Sequence, residues 1–149
     1  MGAIVLGQKA QLGLPSMLVF PDSEELFRVA LAVMLAEVTG STVPAFTKVP
    51  NPRLPEFLVV RRVGGSRRDL VTDVPVLQVE VWAKTESRAD RLSQVVRSLM
   101  QWFVEINGFA INGTEEVTAP VSFPDGSQQE RYTASYAPAV RGRELLTLA

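Results

Sequence analysis

"FLVVRRVGGSRRDLVTDVPVLQVEVWAKT", residues Phe57–Thr85, sets two apolar runs around a Gly-Gly pair. Val and Phe enrichment makes Phe57 to Val63 a strand. Gly64-Gly65 follows as a hairpin signal, and the polar Ser66 to Asp69 extends the turn. Leu70 to Ala83 returns as a strand or strands, with Pro75 marking a bulge or an edge near the middle. Its second half alternates: Leu77, Val79, Val81 and Ala83 point one way, and Gln78, Glu80 and Trp82 the other. One face therefore lies on a core, and the opposite face meets water or a neighbour. An exposed Trp82 would suit a protein interface; a Trp82 packed under a loop or the first helix is the alternative.

Working outward, "PDSEELFRVALAVMLAEVTG" (Pro21 to Gly40) predicts the first helix. Asp22 caps it with Glu25 at capping-box spacing, and Gly40 stops it. The apolar arc is wide, which predicts burial around most of the circumference. Pro44 to Val49 suits a short edge strand, and the proline-rich stretch after it an extended linker. A second helix is expected from about Glu86 to Ile106, capped by Thr85 or Ser87 and ended by Asn107-Gly108. Its stripe is Ala89, Leu92, Val95, Val96, Leu99, Met100, Phe103 and Ile106.

Two further strands follow, at about Glu115 to Ser122 and Glu130 to Arg141. Pro124-Asp125-Gly126 turns between them, and Pro138 marks the last as an edge or ends its pairing. The order of elements predicts an α+β fold: one mainly antiparallel β-sheet with two amphipathic helices packed on one face. Residues 1–20 read as an N-terminal arm without a clean period, and 21–149 as a single domain.

The 149 residues include no cysteine and no histidine. Disulfides, thiolate chemistry, the commonest metal ligand and the commonest neutral-pH base are all excluded. A net charge of -1 supplies no global field toward nucleic acid or membrane. The apolar N-terminus is interrupted by Gln8, Lys9 and Gln11, which predicts neither a bilayer span nor a leader peptide. No phosphate-cradling glycine motif and no enzyme-like carboxylate pair is present. No catalytic, cofactor-binding or metal-binding residue is assigned.

The positive feature is charge. From Lys48 to Asp69 stand six bases (Lys48, Arg53, Arg61, Arg62, Arg67 and Arg68) against Glu56 and Asp69, a local balance of +4. Such a hairpin is either a solvated turn or a docking loop for an acidic protein surface or a nucleic-acid backbone. Nucleic acid lacks support from aromatic interleaving, since Phe57 is the only ring in that window.

In order, "VPNPRLPEFLVVRRVGG", "LVTDVPVLQVEVWAKTESRADRLSQVVRSLM" and "ERYTASYAPAVRG" resemble tail terminator proteins of long-tailed (siphovirus-type) bacteriophages, especially those of actinobacterial hosts. The likeness spans about Pro21 to Gly142. It implies a structural virion protein, made in the host cytoplasm, that forms a homohexameric ring on the head-proximal end of the tail tube. Implied partners are further copies of the chain, the tail tube protein and the head–tail connector or stopper, with DNA passing through unbound. Arg61, Arg62, Arg67, Arg68, Gln78, Glu80 and Trp82 are the candidate protein-interface residues. The alternatives are a head completion or stopper protein, or another neck or minor tail protein. A small nucleic-acid-binding module using the arginine hairpin, and last a carboxylate enzyme, stand outside that class.

Overall fold

The computed structural model describes residues 17–144, so most of the expected arm lies outside the described residues. Ten elements follow in chain order: β1 (Leu18–Val19), α1 (Ser23–Thr39), β2 (Ala45–Phe46), β3 (Phe57–Arg67), β4 (Thr72–Ala83), α2 (Glu86–Trp102), β5 (Glu105–Ile106), β6 (Phe109–Ser122), β7 (Glu130–Arg141) and β8 (Arg143–Glu144). Six strands form one sheet in the order β2-β3-β4-β7-β6-β5, and β1 pairs separately with β8. Among the described strands only β2–β3 is a parallel pair. Both helices lie on one face, so the α+β architecture is as expected.

Local chemistry sets the helix ends. The Asp22 carboxylate accepts from the Glu25 backbone N–H at 3.3 Å, and Gly40 closes α1 at φ 71° with its N–H on the Ala36 carbonyl. Thr85 caps α2 by accepting from the Arg88 N–H. That helix stops at Trp102, short of the expected Ile106, because Phe103 turns extended. Asn107-Gly108 is then the hairpin turn between β5 and β6, with φ of 51° and 84°. Two consecutive positive φ values are what a two-residue hairpin needs, so the turn signal overrides the helical stripe.

The main core lies between helices and sheet. Phe27, Leu31 and Leu35 of α1 and Leu92, Val96 and Met100 of α2 meet Leu58, Val60, Leu77, Val79 and Val81. Each fully buried chain of this size contributes roughly 1.5–3 kcal/mol. The first helix is not buried around most of its circumference: Val29, Val33 and Val38 are exposed. Only a stripe one side wide meets the sheet, because among the described residues no second layer covers the other side.

Two expectations about the central strands need correction. Gly64-Gly65 is not the hairpin turn. The strand β3 continues to Arg67, and the register slips by one residue between Arg62 and Gly64, a bulge at Val63. The chain reverses over residues 68–71, where the Arg68 N–H donates to the Thr72 carbonyl and the Asp69 carboxylate accepts from the Val71 N–H. Nor does Pro138 mark an edge, for β7 lies between β4 and β6. The β4–β7 ladder is unpaired between Asp73/Val140 and Leu77/Tyr136. Continuing its register sets Pro75 opposite Pro138, so two residues without N–H donors share one opening.

Tyr136 sits in the main core with its hydroxyl buried and without a hydrogen-bond partner among the described residues. Burial above all, with Glu116 nearby, pushes its phenol well above the ordinary value. An unfolded phenol ionises near pH 10 while the folded one holds its proton. Stability is therefore level below about pH 10 and falls as pH rises beyond it. Tyr136→Phe is expected to remove that alkaline loss and to leave stability at pH 7 unchanged or raised by up to about 1 kcal/mol. Denaturant midpoints of both proteins at neutral and alkaline pH check this; a clear loss at pH 7 would mean that the hydroxyl has a partner.

Candidate functional site

The strand alternation carries the candidate residues to the sheet face opposite the helices. On that face Phe57, Val59 and Trp82 form a second, smaller core, covered by Phe46 and Val49. The expectation that Gln78, Glu80 and Trp82 line an open face is corrected for two of them. Trp82 is 1% exposed and Glu80 3%. The polypeptide from β2 to β3 folds over them, which is the arrangement in which Trp82 packs beneath a loop. Phe57 stacks on Trp82, with centroids 5.4 Å apart and planes 13° from parallel. The guanidiniums of Arg53 and Arg131 lie 4.9 and 5.2 Å from the Trp82 ring centre.

Glu80 is the polar centre. Its carboxylate accepts from Arg61 Nη2 at 2.9 Å, Gln78 Nε2 at 3.0 Å and Trp82 Nε1 at 3.2 Å. Arg131 Nη1 stands 4.0 Å away. A buried carboxylate survives only with such a set of donors. Four candidate residues, Arg61, Gln78, Glu80 and Trp82, thus meet in one network. A shallow hollow beside it is lined by Gln78, Glu80, Phe123, Arg131 and Thr133.

The other arginines diverge. Arg62 makes a bidentate pair with Asp73, at 2.9 and 3.2 Å, while its backbone N–H donates to Glu24 of α1. Arg67 lies over the Phe20 ring at 4.9 Å, tying the hairpin tip to the chain ahead of α1. Arg68 pairs loosely with the neighbouring Asp69, at 3.7 Å. The local balance of +4 is thus met largely by acids from beyond the window: Glu80, Asp73 and Asp125, the last 3.4 Å from Arg53. Phe123 and Arg131, which complete the face, were not among the expected residues. Arg131 was legible only as a base on the last strand, opposite Trp82 in register.

Among the described residues no group of three metal-capable side chains comes together, and no helix is long and apolar enough to cross a membrane. The arrangement is a set of matched charges and stacked rings, suited to holding surfaces together.

No protein-family description matches the chain, and no curated protein matches it. Among solved structures, it shares its fold with a chain from the virion of a native gene transfer agent particle. The TM-score is 0.59 at 12% identity, over 83% of this chain and 96% of that one.

Proposed function

We propose that this chain is a structural protein of a phage-like virion and, within it, the tail terminator. Copies close into a ring, six by the resemblance, on the head-proximal end of the tail tube and meet the head connector. DNA passes through without specific binding. The observation that carries this reading is the fold shared with the gene transfer agent virion chain over 83% of this chain and 96% of that one. The sequence resemblance to tail terminators supplies the finer position. Ring closure needs two unlike surfaces per subunit. The exposed hairpin tip, with Arg67 and Arg68, serves as one of them. The pairing of Arg61 and Arg62 to acids of the same chain leaves less charge for phosphate, which favours protein contact over nucleic acid.

The mass of the purified protein, alone and on tails, tests the ring, and particle images test its position. A copy located on the portal side would instead make it a head completion protein. Charge reversal tests the tip. Arg61 and Arg62 are tied into the fold, so Arg67→Glu with Arg68→Glu is the cleaner pair. It is expected to lower head–tail joining by about ten-fold while costing no more than about 1 kcal/mol of stability, from the lost Arg67–Phe20 contact. Joining at the parental rate would remove the docking role of the tip.

A further inference from the structure

The chain has three asparagines, and each meets a different backbone. Asn51 precedes Pro52, whose nitrogen carries no hydrogen. The other two stand in matched settings: Ile106-Asn107-Gly108-Phe109 and Ile111-Asn112-Gly113-Thr114 share their first three residue types. Local sequence therefore gives the two Asn-Gly bonds nearly the same intrinsic reactivity, and the fold separates them. Asn107-Gly108 is locked in the β5–β6 turn, closed by the pairs Glu105/Ala110 and Ile106/Phe109. The Asn107 carbonyl accepts from Arg143 Nη1 at 3.2 Å, and that nitrogen lies 2.8 Å from where a Cβ on Gly108 would stand. Asn112-Gly113 lies outside both neighbouring ladders. On the inner side the β6–β7 register breaks between Ile111 and Thr114, and neither residue has a partner in it. On the outer side β5 reaches only Ala110, and the Ile111 N–H donates to the Val104 carbonyl just ahead of the pair. Asn112 and Gly113 are both exposed. Gly113 stands at φ 91°, and nothing lies within 4 Å of a Cβ there.

We propose that Asn112 is a self-modification site, which converts to aspartate and isoaspartate in the folded chain while Asn107 stays intact. Asparagine is among the thermolabile residues. Hydroxide takes the Gly113 amide proton, and the Gly113 nitrogen attacks Asn112 Cγ. The new N–Cγ bond closes a five-membered succinimide as the Cγ–Nδ2 bond breaks. Ammonia leaves with a proton from water, which restores the hydroxide. Water then opens the ring. Cleavage of the N–Cγ bond gives aspartate; cleavage of the bond to the main-chain carbonyl carbon gives isoaspartate, with the chain running through Cβ. One water enters and one ammonia leaves. Closure needs the peptide plane between Asn112 and Gly113 to turn until the nitrogen faces Cγ. Glycine puts no Cβ in the way, and no registered pair is lost. At Asn107 the same rotation would undo two consecutive positive φ values and the Arg143 contact. The product sets a new carboxylate close ahead of Glu115 and Glu116. Isoaspartate also adds a backbone carbon beside Ile111, which is buried in the main core.

Peptide mapping with isoaspartate detection tests this on the full chain, incubated at neutral and mildly alkaline pH. In the folded protein Asn112 is expected to convert at least about ten-fold faster than Asn107, at a rate that rises with pH. In denaturant the two are expected to convert at like rates, because their flanking residues match. Released ammonia gives a second readout. Asn112→Gln, whose longer side chain closes a ring poorly, is expected to remove most of the release from the folded chain. Asn107→Gln is expected to leave it level. Equal conversion of the two sites in the folded protein, or faster conversion at Asn107, would overturn the proposal. So would an Asn112 that survives folding conditions while the unfolded chain converts both. The same preference for Asn112 in denaturant would trace it to sequence and overturn the structural assignment.

Discussion

Gly65→Val is expected to lower stability by at least about 3 kcal/mol, roughly 10 °C in melting temperature. Gly65 stands at φ 87°, opposite Pro75, just past the bulge in β3. A Cβ there would run into the Val74 carbonyl oxygen and lie 2.6 Å from Val76 N and 2.8 Å from Pro75 Cα. All three are backbone atoms of β4 in register with Gly64 to Ser66 of β3, so none can move away without breaking that ladder. A side chain also makes the positive φ costly, and most so when β-branched. Its neighbour supplies the control. Nothing lies within 4 Å of a Cβ at Gly64, so Gly64→Ala should leave stability level or raise it by up to about 1 kcal/mol. Thermal melts of the two variants beside the parent measure the contrast. Equal melting of Gly65→Val and Gly64→Ala would mean that β3 and β4 pair in another register.

Glu80→Ala is expected to cost about 3–5 kcal/mol, the range for breaking a buried, charge-assisted network by removing one partner. The loss leaves the Trp82 N–H, Gln78 amide and Arg61 guanidinium without their shared acceptor. The effect is asymmetric. Arg61 keeps 45% of its side chain exposed and can turn to water, so Arg61→Ala should cost only about 1 kcal/mol. Trp82→Phe keeps the stack on Phe57 but loses the donor to Glu80, and should fall between the two. Denaturant unfolding of the three single variants and of Glu80→Ala/Trp82→Phe measures this. Strict additivity of the double variant would show that Glu80 and Trp82 do not act together.

The elements whose signals are local were legible in the sequence. Asp22 with Glu25, Thr85 with Arg88 and Gly40 carry their helix ends within a turn, and the bounds Glu130–Arg141 of the last strand follow from alternation. The covered second face was not. Trp82 is buried by Phe46, Phe57, Val49, Arg53 and Arg131, brought together only once the four strands β2, β3, β4 and β7 have paired. Alternation states that Trp82 leaves the first core, not what awaits it on the other side. The arginine count misled for a related reason. A window ending at Asp69 excludes Asp73 and Glu80, which the hairpin folds back onto Arg62 and Arg61. Counting acids along the whole returning strand would have predicted those pairs.

The facing prolines have a mechanical meaning. The ribbon β3–β4 and the ribbon β6–β7 are each stitched internally past Pro75 and Pro138, yet the seam between the ribbons is open there. A seam with a slit tolerates twisting that a continuous ladder resists. The lip beyond it, where Val71, Phe20 and the β1–β8 pair gather, is therefore joined to the body through the two ribbons and not through the seam at the prolines.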